Sequence, residues 1–480
     1  MWIYIPFGIL AVLSVLIAVI LIRTARFKPY TQDTGVAEEI SFNKERAVEC
    51  LQTLVKFKTV SDLDPKKEDD AEFEKLIAKL PELYPSVYKE CTLTRFEGRG
   101  LLYKWKGKGD GKPSVFMAHY DVVSVEEKNW DKPPFSGIIE NGYMWGRGTL
   151  DTKATFNGAL FAVNHLIESG FTPENDVYLA FSGGEEVNGV GAINIKNYFK
   201  ENNIELEMVL DEGGAVVNNV FPGVKEPCAL VGVGEKGMLN LKYSVKSSGG
   251  HASAPKPDSP LVVLAKAMQK LDKNPFKAKT CAPVSEMFDK VGRKSTFVYR
   301  MIFANLWLFG GLLGLIAKKG GGDMNALFRT TVAFTQAEGS KGINVIPPVA
   351  SVYSNSRINP NESVKEVVDT IRKTIDDERV ELEVLTATEP SRISRTDTEG
   401  YKRVEKAIVE TWDGVLVSPY LMLQCSDCRH YGDISDRVYR FSAMALTNEE
   451  RATIHGNNEK IRIDEISKTV EFYIRLIKSC

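Results

Sequence analysis

Histidine is scarce in this sequence. There are five among 480 residues, His119, His165, His251, His430 and His455, so imidazole chemistry has only a handful of places to occur. An excess of charge of either sign is also lacking. Lys plus Arg number 61 and Asp plus Glu 63, a formal net charge of −2. That balance excludes a nucleic-acid partner held by a bulk positive field. No internal repeat, low-complexity tract or P-loop stands out. Seven cysteines, odd in number and scattered from Cys50 to Cys480, do not form a disulfide framework and read as reduced or buried thiols. Cys425-Ser-Asp-Cys428 is a single CxxC, without the second pair of a zinc site or a thioredoxin-like context. What is present is 43% hydrophobic and 26% charged residues, a balance that demands a packed core and rules out a wholly disordered chain.

Trp2 to Ile22 carries no charge over a length that spans a bilayer. Arg23, Arg26 and Lys28 follow, and no Ala-x-Ala cleavage site does, so an uncleaved single-pass anchor is expected. The positive residues after the span put the main body in the cytoplasm by the positive-inside rule. Met301 to Ala317 is a second apolar run. Residues that must meet in one site lie on both sides of it, so it is expected not to cross. It reads as a buried or interfacial helix, or as an apolar surface that touches lipid or a greasy substrate.

Thr31 to Ile40 reads as a polar linker. From Val115 onward, short apolar runs at 115–118, 177–181 and 208–210 predict strands buried on both faces. A helix is predicted over 154–168, with His165 opposite its apolar stripe and facing solvent. The pattern is α/β with a mostly parallel sheet and flanking helices. Near residue 237 the texture changes. Strands at 239–247, 330–335, 349–354 and 380–385 and helices at 260–271 and 363–377 give the order βαββαβ, a ferredoxin-like unit. The expected division is an anchor over 1–30, a first catalytic segment over 31–236, an inserted domain over 237–390 and a second catalytic segment over 391–480.

Polar residues follow each apolar strand: His119-Tyr-Asp121, Ser182-Gly-Gly-Glu185-Glu186, Asp211-Glu-Gly-Gly214 and His455-Gly456. Gly146-Arg-Gly-Thr-Leu-Asp151 precedes the helix at 154. Sites in open α/β sheets form at the carboxyl ends of strands, so all five segments could converge. Taken singly, His-x-Asp is an ordinary surface pair, Glu-Glu a solvated loop and Asp151 a helix cap. Their coincidence at successive strand ends points to a metal site. Imidazole with carboxylate suits zinc or another first-row divalent ion, and a carboxylate can bridge two ions about 3.5–4 Å apart. In His-x-Asp on a strand, the Asp can orient the ring through its second nitrogen. Of the Glu pair, one can ligate and one act as general base, and the residues alone do not say which. Gly232-x-Gly-x-x-Gly237 spells a dinucleotide fingerprint, but the alternating strand that follows it offers no helix N-terminus.

Ala118-His-Tyr-Asp121, Gly146-Arg-Gly-Thr-Leu-Asp-Thr-Lys153, Gly183-Gly-Glu-Glu186, Asp211-Glu-Gly-Gly214 and Gly249-Gly-His-Ala-Ser-Ala-Pro255 together resemble one family. It is the dizinc metallopeptidases that include carboxypeptidase G, aminoacylase, acetylornithine deacetylase and carnosinase. The resemblance runs from about residue 40 to the end. Asn305-Leu-Trp-Leu-Phe309, Asn344-Val-Ile-Pro-Pro348 and Asp427-x-Arg-His-Tyr431 are most similar to the carboxypeptidase S and N-fatty-acyl-amino-acid hydrolase/synthase branch. The resemblance implies two zinc ions, one held by His119, Asp151 and Asp211, the other by Asp151, Glu186 and His455. It implies Glu185 as general base, Asp121 as partner of His119, and His251, on an inserted lid, at the developing oxyanion. Asn344, Arg357, Arg429 and His430 match substrate-binding positions. In dimeric members the lid histidine can come from the partner subunit, so the resemblance also allows a homodimer through the lid. Many relatives have a second Asp after the bridging one; here it is Thr152.

The expected activity is zinc-dependent hydrolysis of amide bonds in peptides or N-acyl amino acids with a free C-terminal carboxylate, which an arginine would pair. The alternatives are a dipeptidase or deacylase of small intermediates, and a membrane-tethered binding protein with a dead hydrolase fold. The resembled branch includes secreted and lumenal members, which opposes the positive-inside reading and leaves the side of the membrane open.

Overall fold

The computed structural model describes residues 4–30, 37–220 and 223–480. Trp2 and Ile3 of the apolar run and residues 31–36 of the linker lie outside the described residues. Helix α1, Tyr4–Arg26, covers the rest of that run. It projects with its apolar side chains bare, as at Phe7, Leu10 and Val15.

Twelve strands build the two larger sheets. They are β1 Thr92–Phe96, β2 Gly100–Trp105, β3 Ser114–His119, β4 Val177–Ser182, β5 Met208–Val217, β6 Cys228–Glu235, β7 Gly237–Lys246, β8 Thr331–Glu338, β9 Val349–Ile358, β10 Glu381–Thr388, β11 Leu416–Met422 and β12 Val438–Leu446. The first sheet has the order β1-β2-β4-β3-β5-β12-β6-β11. Pairs β3–β4, β3–β5, β5–β12 and β6–β11 are parallel; β1–β2, β2–β4 and β6–β12 are antiparallel. Its inner strands are apolar on both faces because helices cover both sides. Helices α2 Lys44–Val55 and α3 Lys153–Glu168 lie in that cover. Phe181 on β4 packs against Phe156 of α3, ring centroids 4.6 Å apart. A Phe→Ala truncation in such a core costs about 3–5 kcal/mol.

The second sheet, β8-β9-β7-β10, is wholly antiparallel. Strand β7 alternates strictly, with Leu239, Leu241, Tyr243 and Val245 buried. Those side chains meet Val263 and Leu264 of α4, Pro260–Lys273, and Val367 and Ile371 of a later helix, Val364–Ile375. Ser363 starts the later helix through a capping box with Glu366.

Between α4 and β8 the chain makes a helical excursion: α5 Ala282–Lys294, α6 Phe297–Ala304, α7 Leu306–Gly320 and α8 Gly322–Phe328. The apolar run at 301–317 is therefore two helices, bent by 110° at Asn305. The Asn305 side chain donates to Met301 O at 2.9 Å and reaches Ile20 O of α1 at 3.4 Å. The last helix, α9 Ile463–Lys478, returns to the first sheet and packs on α3. His165 on α3 does not face open solvent. It is half-buried, with its ring 6.2 Å from that of Phe42, because nearly every face of α3 is covered. All seven cysteines are free thiols.

Candidate metal centre

The parallel register makes His119, the last residue of β3, pair with Ser182, the last of β4. The loop after β4 then turns Glu185 and Glu186 back toward His119. Asp121 pins that turn. Its Oδ1 accepts the Glu185 backbone N–H at 3.1 Å and its Oδ2 the Glu186 N–H at 3.2 Å, while Ser61 donates to Oδ2 at 2.8 Å. His119 Nδ1 lies 3.0 Å from the Asp121 backbone oxygen and 3.4 Å from its Oδ1. The ring is thus oriented mainly through main chain.

His119 Nε2 lies 2.9 Å from Asp151 Oδ1 and 3.2 Å from Glu212 Oε1. His455 Nε2 lies 3.0 Å from Asp151 Oδ2 and 3.1 Å from Glu186 Oε2. The two oxygens of Asp151 therefore serve the two imidazoles separately. Asp151 is delivered by the loop before α3, and its bond to Thr152 is cis. His119, Asp151 and Glu186 form one grouping able to hold a cation; His119, Glu185 and Glu212 form another.

Asp211 departs from the expected ligand set. Neighbouring residues of a strand point to opposite faces, and on β5 it is Glu212 that meets His119. Asp211 is buried, and its Oδ2 accepts the Cys428 N–H at 2.9 Å. It fastens the 426–431 loop instead. That loop is also held by Glu235, which accepts from Ser426 Oγ at 3.0 Å and pairs with the buried Arg440 at 2.5 Å. Beyond Glu212, β5 runs against the backbone of β6. A Cβ on Gly214 would come within 1.7 Å of Leu230 O, so only glycine fits there.

Charge in the cluster is unbalanced. Burial is the largest influence on Glu185 and holds its carboxyl well above the usual range, against the pull of His119. Burial likewise pushes Glu212 up to about 8 and Asp427 up to about 7. Asp151 moves the other way: burial is the largest single influence and raises it, but the hydrogen bonds and charges of His119 and His455 together pull it down. Those bonds, to Asp151 and Glu186, push His455 up to about 10. Glu186 Oε1 is buried and takes no hydrogen bond from a described residue. An orphaned carboxylate oxygen among crowded acids and two imidazoles is a donor set for divalent cations. The observed separations of 2.9–3.2 Å between donor atoms are close to the ~3.3 Å edge of a tetrahedron around zinc.

The remaining expected site residues are spread out. Arg357, on β9, donates to Cys425 Sγ at 3.3 Å, and Arg429 donates to Asn188 Oδ1 at 2.6 Å. His430 is pushed down to about 4, chiefly by burial and then by Arg429, so it is neutral at pH 7. His251 and Asn344 stand together on a small exposed ribbon, where Gly250–His251 pairs with Val345–Ile346. Neither touches the acid cluster among the described contacts.

A cleft of about 730 Å³ opens at the cluster, with Asp151, Glu185, Glu186, Glu212 and His455 on one wall. Leu230, Tyr420, Met422, Met444, Leu446 and Ile454 also line it. A larger depression of about 1230 Å³ near Trp412 and Lys468 contains none of the candidate site residues.

Comparison with known proteins agrees with this architecture. Residues 115–479 match the family described as Peptidase family M20/M25/M40. The chain is 36% identical over 450 residues to "Probable carboxypeptidase S-like 2" of Dictyostelium discoideum, covering 92% of this chain and 86% of that one. It is 35% identical over 481 residues to "N-fatty-acyl-amino acid synthase/hydrolase PM20D1" of Xenopus tropicalis, covering 97% and 93%. Among solved structures, the M20 family metallo-carboxypeptidase Sso-CP2 of Sulfolobus solfataricus superposes with a TM-score of 0.65 at 19% identity, covering 90% and 98%. The Bacillus subtilis YXEP protein, titled a dinuclear metal binding peptidase, superposes with a TM-score of 0.56 at 12% identity, covering 91% and 97%. The motifs at the strand ends, the family match and the shared fold lead to one statement: this chain belongs to the M20/M25/M40 peptidase family.

Proposed function

We propose that this protein is a dizinc hydrolase of amide bonds in N-acyl amino acids or peptides that end in a free carboxylate. His119, Asp151 and Glu212 would hold one ion, and Asp151, Glu186 and His455 the other. The observation that carries the reading is the division of the Asp151 carboxylate between two imidazoles, at 2.9 and 3.0 Å. When bound, such a pair of ions polarises the scissile carbonyl and makes water acidic enough to react at neutral pH.

The chain's own residues do the rest. Glu185 lies in the cluster beside His119 and Glu212, where its carboxylate can take a proton from the attacking water and return it to the leaving nitrogen. Asp121 holds the turn that aims it. Arg357, beside the 425–430 loop, and Arg429, within it, offer guanidinium groups for a substrate carboxylate. His251 would serve the oxyanion, as the family resemblance implies. From its exposed ribbon it reaches the centre by closure of the second sheet or from a second copy of the chain.

The apolar side chains in the cleft lining favour an acyl chain over a small polar deacylase substrate. With α1 as a single-pass anchor, the enzyme would work at a membrane. The test is hydrolysis of peptides and of N-acyl amino acids of graded chain length, before and after chelation and with zinc restored. Each buried methylene is worth about 0.8 kcal/mol, about fourfold in kcat/KM, until the cleft is full. Equal turnover of N-acetyl and N-oleoyl substrates would reject the acyl reading. No hydrolysis of any amide with zinc present would reject the enzyme.

A further inference from the structure

The α6–α7 hairpin presents an apolar surface that the rest of the described molecule does not cover. On α7, Trp307, Leu308, Leu312, Leu315 and Ile316 are exposed by 40–62%. Their spacing puts all five on one face of the helix. The opposite face is used: Leu306, Leu313 and Ala317 join a core cluster with Phe288 and Phe328. Phe297 and Val298, at the start of α6, are also exposed, by 54% and 58%. Single exposed apolar residues mean little, but a contiguous patch marks a contact surface.

The position of this surface names its partner. Arg23 Nε of α1 donates to Ala304 O at 3.1 Å, and Asn305 reaches both Ile20 O and Thr24 Oγ1 at 3.4 Å. Phe27 packs into the same cluster as Leu306 and Leu313. The hairpin is therefore fixed to α1 at the level where its apolar run gives way to Arg23 and Arg26. In a bilayer that level is the boundary between hydrocarbon and headgroups. Helix α7 has 15 residues, about 22 Å of helix, too short to cross a ~30 Å hydrocarbon layer but suited to lie along its edge. Exposed Lys318 and Lys319 end the helix, where anionic headgroups would meet them.

We propose that the α6–α7 hairpin is a second, monotopic membrane contact, which lies in the leaflet beside the end of α1. The hairpin is also tied to the cleft from beneath, because Leu230 and Tyr420 line the cleft and pack on the cluster that holds the covered face of α7. Asp323 of α8, the helix next to α7, lines the cleft too and pairs with Arg451 at 3.8 Å. The inference rests on the reading of α1 as a span.

The test uses the full chain in vesicles of phosphatidylcholine and phosphatidylglycerol that contain dibrominated lipid. Bromine quenches tryptophan only within contact range, and the difference between wild type and Trp307→Phe isolates the Trp307 signal. The expected result is quenching of that signal by bromolipid relative to unbrominated vesicles, as for a side chain seated at the acyl boundary. Leu315→Glu with Ile316→Glu, both at exposed positions, should abolish the quenching while circular dichroism stays unchanged. Trp307 emission indifferent to bromolipid overturns the proposal. So does protection of Trp307 by a second copy of the chain, seen as crosslinking through the hairpin in detergent and in vesicles alike. Resistance to alkaline carbonate extraction is scored separately and reads α1, so failure of the anchor and failure of the hairpin are told apart. No readout depends on turnover.

Discussion

Glu459 and Arg147 form a buried ion pair, Oε2 to Nη1 at 2.5 Å, that ties the Asp151 loop to the His455 loop. Glu459 also accepts the backbone N–H groups of Gly148, Leu150 and Asp151 at 3.2, 2.7 and 3.3 Å. Arg147 donates to Gly456 O at 2.7 Å, beside His455. One carboxylate thus sets the distance between Asp151 and His455. Glu459→Ala removes it and leaves a buried guanidinium unpaired. Loss of about 3–5 kcal/mol is expected in denaturant unfolding. Glu459→Gln, which keeps part of the hydrogen bonding, should lose less. Equal stability of the alanine variant and wild type would show that the pair does not brace the loops.

Glu212 and Asp211 make opposite predictions. Glu212→Gln should weaken binding of one metal equivalent while the second remains, as read by metal analysis after dialysis. Asp211→Asn should keep two equivalents and instead loosen the 426–431 loop, seen as faster amide hydrogen exchange at Cys428. The reverse pattern would restore Asp211 to the ligand set.

Glu185→Gln keeps the shape of the side chain and removes its capacity to hold a proton. Turnover should fall by about 10²–10⁴-fold with metal content and unfolding midpoint unchanged. Residual activity near wild type would assign the base elsewhere.

Asp121→Ala leaves the N–H groups of Glu185 and Glu186 without their acceptor. Partners of this kind, which orient ligands, are worth about 10–100-fold in metal affinity or activity. Competition with a chromophoric chelator measures it. Asp121→Asn, which still offers one oxygen, should fall between the two.

Much of this architecture is legible in the chain because the parallel strands are short apolar runs whose polar endings carry the chemistry. The strand phase is not. Met208, Val209 and Leu210 are all buried, so nothing in their polarity says whether Asp211 or Glu212 turns toward His119. The same uniform burial misplaces His165, because a helix covered nearly all round has no dry stripe to read against. Glu459 is a single acid in a polar loop, and its importance comes from groups more than 300 positions away. The break at Asn305 has a similar origin: its side chain reaches Ile20 and Thr24, at the other end of the sequence.

The assembly of the cluster from both ends of the chain has a consequence for synthesis. His119, Asp151, Glu186 and Glu212 emerge early, whereas His455 and Glu459 emerge just before α9, the last element of the chain. A nascent chain therefore gathers its acids long before the second imidazole and the brace that aligns it. On the proposed ligand set, loading of both ions waits until residues 455–459 have been made, so a chain cut before His455 should leave amide bonds intact however well its first sheet has formed.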